Sequence, residues 1–100
     1  DVIVAGDDSA DLGVGLRALA ERGYRRVLAE GGPQLLGELA AEEVLDELCL
    51  TISPLVASGG AGRIAVGTSA AQSGRLELQH VLEDEGHLFT RYTRRRPAIA

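Results

Sequence analysis

The 100-residue sequence has no apolar run near the roughly 20 residues needed to cross a bilayer, so no membrane-spanning helix is expected. Cysteine is almost absent: Cys49 stands alone, and no disulfide can form within the chain. No basic-then-apolar opening marks a signal peptide, so a reducing, cytoplasmic setting is the expectation. Cys49 also lacks the paired His and Asn that would activate a nucleophilic thiol. Lysine is missing altogether; the ten basic residues are all Arg, against 15 acidic ones, for a net charge of -5. Such a mean field repels nucleic acid and anionic lipid, and neither is an expected partner. The one basic run, Arg94-Arg95-Arg96, reads as a solvated tail. The two histidines, His80 and His87, have no cysteine or second histidine at ligand spacing, so no metal is expected.

What remains is 45% hydrophobic and 25% charged, the composition of an ordinary globular domain. A chain of this length can bury roughly two-thirds of the surface it exposes when unfolded. It opens at Asp1 straight into the strand-like Val2-Ile3-Val4-Ala5, as expected for part of something longer. That run is bounded by Gly6-Asp7-Asp8 and reads as a strand buried on both faces. Leu12, Leu16, Leu19 and Ala20 then recur at helical spacing, with Asp11 at the positive end and Gly23 placed for a left-handed cap. Arg26 to Ala29 reads as a second short buried strand, and Gly31-Gly32-Pro33 leads into a helix carrying Leu35, Leu36, Leu39 and Ala40.

After Glu42-Glu43 the period changes from 3.6 to 2. Leu48, Leu50 and Ile52 alternate with Glu47, Cys49 and Thr51 until Pro54. The glycine-rich Ser58 to Gly62 precedes a short run, Arg63 to Val66, that reads as a strand rather than a helix, so it lacks the helix dipole that would support a phosphate role. Arg75 to Leu82 and His87 to Thr93 flank an acidic turn ending in Gly86, the pattern of a hairpin. Alternation places His80 on the face of Leu76, Leu78 and Leu82, partly buried, and leaves His87 exposed beside the turn. Asp46 and Glu47 are adjacent in a strand and face opposite sides, which argues against an acid–base pair; Asp46 reads as a turn or structural contact. Right-handed crossovers would make the first strands parallel, and the closing hairpin would add antiparallel strands to one edge of a mixed sheet.

Two glycine arrangements could cradle a phosphate. Gly13-Val14-Gly15-Leu16-Arg17-Ala18 is a literal G-x-G-x-x-A, but it lies too far after the strand, and Asp7, Asp8 and Asp11 crowd the turn with negative charge. Glu30-Gly31-Gly32-Pro33 has the better context. A strand ends at Glu30, the glycines allow close backbone approach, and a helix N-terminus follows. Spacing alone leaves open whether this is an anion site or a tight turn beside a solvated carboxylate.

The stretch Arg26 to Arg63, with Glu30-Gly31-Gly32, Val44-Leu45-Asp46-Glu47-Leu48, Ser53-Pro54 and Gly59-Gly60, resembles the C-terminal reductase domain of the bacterial riboflavin deaminase/reductase family. The resemblance extends over nearly the whole chain. It implies an α/β, dihydrofolate-reductase-like fold: a mixed sheet flanked by helices, with a closing antiparallel hairpin. Residues 1–100 would form the C-terminal part of one reductase domain, inactive in isolation. It also implies NADPH as hydride donor, a homodimer, and a phosphoribosyl-pyrimidine substrate whose ribosyl chain is reduced to ribityl. By the same resemblance Glu30 contacts substrate, and Gly31, Gly32, Pro33, Gln34, Leu35 and Leu36 line the cofactor's phosphates. The alternatives are a same-fold reductase of another substrate, such as dihydrofolate, and a non-catalytic dimerising or ligand-binding domain.

Overall fold

The structure, a computed structural model, describes residues 1–67 and 75–95. Two helices, α1 (Leu12–Glu21) and α2 (Pro33–Ala41), precede three strands, β1 (Glu47–Ile52), β2 (Leu76–Asp84) and β3 (His87–Arg94). The helices begin and end where local chemistry directs. Asp11 caps α1, its side chain accepting from the Val14 N–H at 3.0 Å, and Pro33 opens α2 where a missing N–H does no harm. Both helices stop in the same hydrogen-bonded motif. At the end of α1, Gly23 N–H donates to the Ala20 carbonyl (2.9 Å) and Tyr24 N–H to that of Leu19 (3.0 Å). At the end of α2, Glu43 and Val44 donate to Ala40 and Leu39, each at 3.1 Å. The left-handed position is glycine in α1 (Gly23, φ +92°) and glutamate in α2 (Glu43, φ +57°).

Among the described residues the strands form one antiparallel sheet in the order β1-β3-β2. The expected hairpin is present; its turn is Glu85-Gly86, with φ of +49° and +81°. Two positive φ values match the twist of the flanking strands, and the Glu83 carboxylate accepts the Gly86 N–H at 3.1 Å. In central β3, Thr90 is buried and its hydroxyl donates to the Leu50 carbonyl at 2.8 Å.

One bulge reorders the faces of the sheet. Leu78 pairs with Tyr92, but His80 pairs with Arg91, leaving Gln79 as the extra residue. Because side chains alternate with period 2, that residue inverts everything after it. Leu76 and Leu78 share the face of Leu48 and Leu50, whereas His80 and Leu82 emerge on the opposite face with Cys49, Arg91 and Phe89. The expectation of a partly buried His80 on the leucine face is thereby corrected: His80 is exposed. His87, expected exposed, is half-buried and stacks on Phe89 with ring centroids 6.3 Å apart.

Three other expectations change. Val2 to Ala5 and Arg26 to Ala29 form no strand among the described residues, so the observed sheet is antiparallel rather than mixed. A strand buried on both faces needs neighbours at both edges and layers above and below, and here Val2, Val4 and Leu28 are each more than 80% exposed. Arg63 to Val66 likewise forms no strand; Val66 N–H donates to the Pro33 carbonyl of α2 at 3.0 Å. Arg94 and Arg95 extend the sheet instead of trailing into solvent: their N–H groups donate to the carbonyls of Asp46 (2.9 Å) and Arg75 (3.2 Å). Arg96 lies outside the described residues.

Of the described hydrophobic residues only Leu39, on the inner side of α2, is buried. Between α2 and the sheet runs a cleft of about 360 Å³, with Leu36 and Ala40 on the helix side, Leu48 and Leu76 on the sheet side, and Arg75 and Arg94 at its rim.

Candidate functional site

The two glycine arrangements have opposite electrostatic fates. Gly13 to Ala18 lie inside α1, and the N-terminus of that helix is filled by carboxylates. Asp11 Oδ1 accepts from Val14 N–H, and Glu42 Oε2, from the far end of α2, accepts from Gly13 N–H at 3.2 Å. Two negative groups already occupy the amides that a phosphate would need, so the G-x-G-x-x-A pattern here is a capped helix start.

The N-terminus of α2 is open. Gly32 is the N-cap and supplies no side-chain hydrogen bond. Its carbonyl accepts the Leu36 N–H at 3.0 Å, the first bond of the helix. Pro33 has no N–H, so the amides of Gln34 and Leu35 are the ones left at the positive end of the helix dipole. Gly31 has φ +98°, a conformation that favours glycine, whereas Gly32, at φ −108°, lies in extended backbone open to any residue. The peptide between the two is cis. A Cβ placed on either glycine meets no atom within 4 Å, so the space in front of the turn is free.

Glu30, Gly31, Gly32, Pro33 and Gln34 are all exposed and contiguous, and Leu35 and Leu36 are half-buried. Leu36 has its N–H committed to Gly32 and its side chain in the cleft, so it supports the turn by packing and is not a donor. The turn thus presents backbone amides without partners, with the Glu30 carboxylate beside it as the one acidic side chain of the segment. Among the described residues no group of three or more His, Cys, Asp or Glu could hold a metal ion.

A second polar group lies on the outer face of the sheet. Arg91 grips Glu47 with two hydrogen bonds, 2.6 Å from Nε and 3.1 Å from Nη2, and Cys49 Sγ lies 3.6 Å from Glu47 Oε1. The hydrogen bond from Arg91 holds the Glu47 carboxyl below its ordinary 4.5. The pair is exposed and ties β1 to β3 across the diagonal of their register. Sequence reasoning missed this contact, and it also missed the close approach of Val66 to Gly37, whose signal was a lone glycine inside an apolar helix.

Two helices and an antiparallel three-stranded sheet, with a glycine turn that leaves the first amides of α2 without partners, define an α/β protein. More particularly, the chain belongs to the RibD C-terminal domain family, which it matches over residues 2–89. It is also similar to the crystal structure of a pyrimidine reductase-like protein from Corynebacterium diphtheriae, at 27% identity and a TM-score of 0.81. That match covers 97% of this chain and 40% of the other, so the chain spans well under half the length of that protein. No curated protein matches the sequence.

Proposed function

We propose that these residues are the cofactor-binding part of an NADPH-dependent pyrimidine reductase of the riboflavin pathway, with a dihydrofolate-reductase-like fold when the domain is whole. The observation that carries this reading is the uncapped start of α2 behind an unobstructed Gly31-Gly32 turn, in a chain whose family is the RibD C-terminal domain. The pyrimidine reductase-like character of the structural neighbour supports it.

When bound, NADPH would supply the hydride that turns the ribosyl chain of a phosphoribosylaminopyrimidine into ribityl. The chain's own residues do the placing. The amides of Gln34 and Leu35 would receive the cofactor's phosphate oxygens, helped by the helix dipole. Gly31 and Gly32 let the backbone come close, and Pro33 fixes the direction in which the helix leaves the turn. Glu30 would accept hydrogen bonds from substrate and orient it against the cofactor, which lowers the barrier by positioning. We further propose a cytoplasmic homodimer. Its contacts would involve β1 and the hairpin, where Ile52, Leu82 and Phe89 are 42–60% exposed.

The test is Gly32→Ala in the intact protein. The structure has room for the methyl group, so circular dichroism should stay unchanged. The methyl would stand between the amides and the phosphates. Hydrogen bonds to charged groups contribute roughly 1.5–3 kcal/mol, so NADPH should bind on the order of tenfold to a hundredfold more weakly. Full cofactor affinity in a folded variant would remove the phosphate role from this turn.

A further inference from the structure

Gly37 lies in the middle of α2, and a Cβ there would run into the backbone carbonyl of Val66. The same residue, Val66, donates its N–H to the Pro33 carbonyl at 3.0 Å. Both backbone polar groups of Val66 are thus set against α2, one at its first residue and the other a turn further on. The segment Ile64 to Val66 lies across the helix as a strap, and the glycine at 37 is the notch that admits it.

This arrangement answers a problem that the open site creates. The first turn of a helix frays unless something holds it, and α1 is held by the Asp11 and Glu42 carboxylates on its amides. The same device on α2 would place negative charge where an anion must bind. The strap grips the Pro33 carbonyl instead, leaving the amides of Gln34 and Leu35 free. We infer that the Ile64–Val66 strap, seated in the Gly37 notch, fixes the first turn of α2 in the geometry that receives the cofactor's phosphates, with Gly37 as a positioning residue. The inference rests on the NADPH reading of the turn.

Three variants of the intact protein test it. Gly37→Ala displaces the Val66 carbonyl, Val66→Pro removes its N–H donor, and Val66→Ala keeps both backbone groups as the control. Each is checked for folding by circular dichroism, titrated with NADPH, and examined for amide hydrogen exchange at Gln34 and Leu35. One neutral hydrogen bond changes an equilibrium by roughly twofold to tenfold. Gly37→Ala and Val66→Pro should therefore weaken NADPH binding and speed exchange at both amides by about that factor. The rise should appear in KM for NADPH more than in kcat, and Val66→Ala should match the parent. If Gly37→Ala does not fold, Val66→Pro decides. Parental exchange rates at Gln34 and Leu35 in the folded variants would overturn the strap, whatever the cofactor does. Faster exchange with unchanged NADPH affinity would overturn the positioning role alone. Failure of the unsubstituted protein to bind NADPH would overturn the earlier reading and the positioning role, while the exchange rates would still decide whether the strap holds α2.

Discussion

Replacing Glu43 by glycine should stabilise the protein, and replacing Gly23 by alanine should destabilise it, because the two residues occupy the same position in the same helix-ending motif. Glu43 holds φ +57° after α2, and Gly23 holds φ +92° after α1. An L-residue in the left-handed region is strained by about 1–2 kcal/mol. Glycine avoids that strain but gives up roughly 0.5–1 kcal/mol through the greater freedom of the unfolded chain. Removing a carboxylate from the negative end of a helix adds about 0.3 kcal/mol. The net expectation for Glu43→Gly is a gain of about 0.5–1.5 kcal/mol. The reverse change at Gly23 has no clash to confuse it, since a Cβ there meets no atom within 4 Å. Gly23→Ala should therefore lose about 0.5–1 kcal/mol through backbone strain alone. Denaturant unfolding of the intact protein and both variants, compared at equal slope, measures the two effects. A Glu43→Gly variant less stable than the parent would refute the reasoning, because the motif would then not hold residue 43 in the left-handed region.

Glu30→Gln keeps the size of the side chain and loses its charge; kcat/KM should fall on the order of tenfold to a hundredfold with NADPH affinity unchanged, as steady-state kinetics and a cofactor titration would show. The hydrogen bond from Arg91 lowers the Glu47 carboxyl below 4.5, so the stability it lends is complete above that value and is lost as pH falls through the lower, folded value. Glu47→Gln should accordingly unfold less steeply with acid than the parent over that window, and identical acid profiles would count against the pairing. The intact protein should have a dimer's mass by light scattering at micromolar concentration, and a monomeric mass would remove β1 and the hairpin as an interface.

Short-range chemistry was legible in the sequence. Asp11, Gly23, Pro33 and Gly86 act at their own positions on groups within four residues, so caps, helix starts and the hairpin turn followed from local spacing. The alternation of β1 also held, with Cys49 opposite Leu48 and Leu50, and the family resemblance carried by Glu30-Gly31-Gly32 stands over residues 2–89. The failures have one kind of cause. The bulge at Gln79 depends on how β2 must meet β3, and one extra residue moved His80 and Leu82 to the other face. The runs Val2 to Ala5 and Arg26 to Ala29 have the composition of buried strands, but pairing requires a neighbouring strand, which their own residues do not encode. Which helix end is open was likewise a tertiary matter. Glu42 reaches Gly13 across 29 residues and closes α1, while Val66 reaches Pro33 across 33 and leaves the amides of α2 free. Sequence determines the groups a residue offers, but contacts between distant segments exist only once the chain has folded back on itself, and those contacts decided which helix start keeps its amides free.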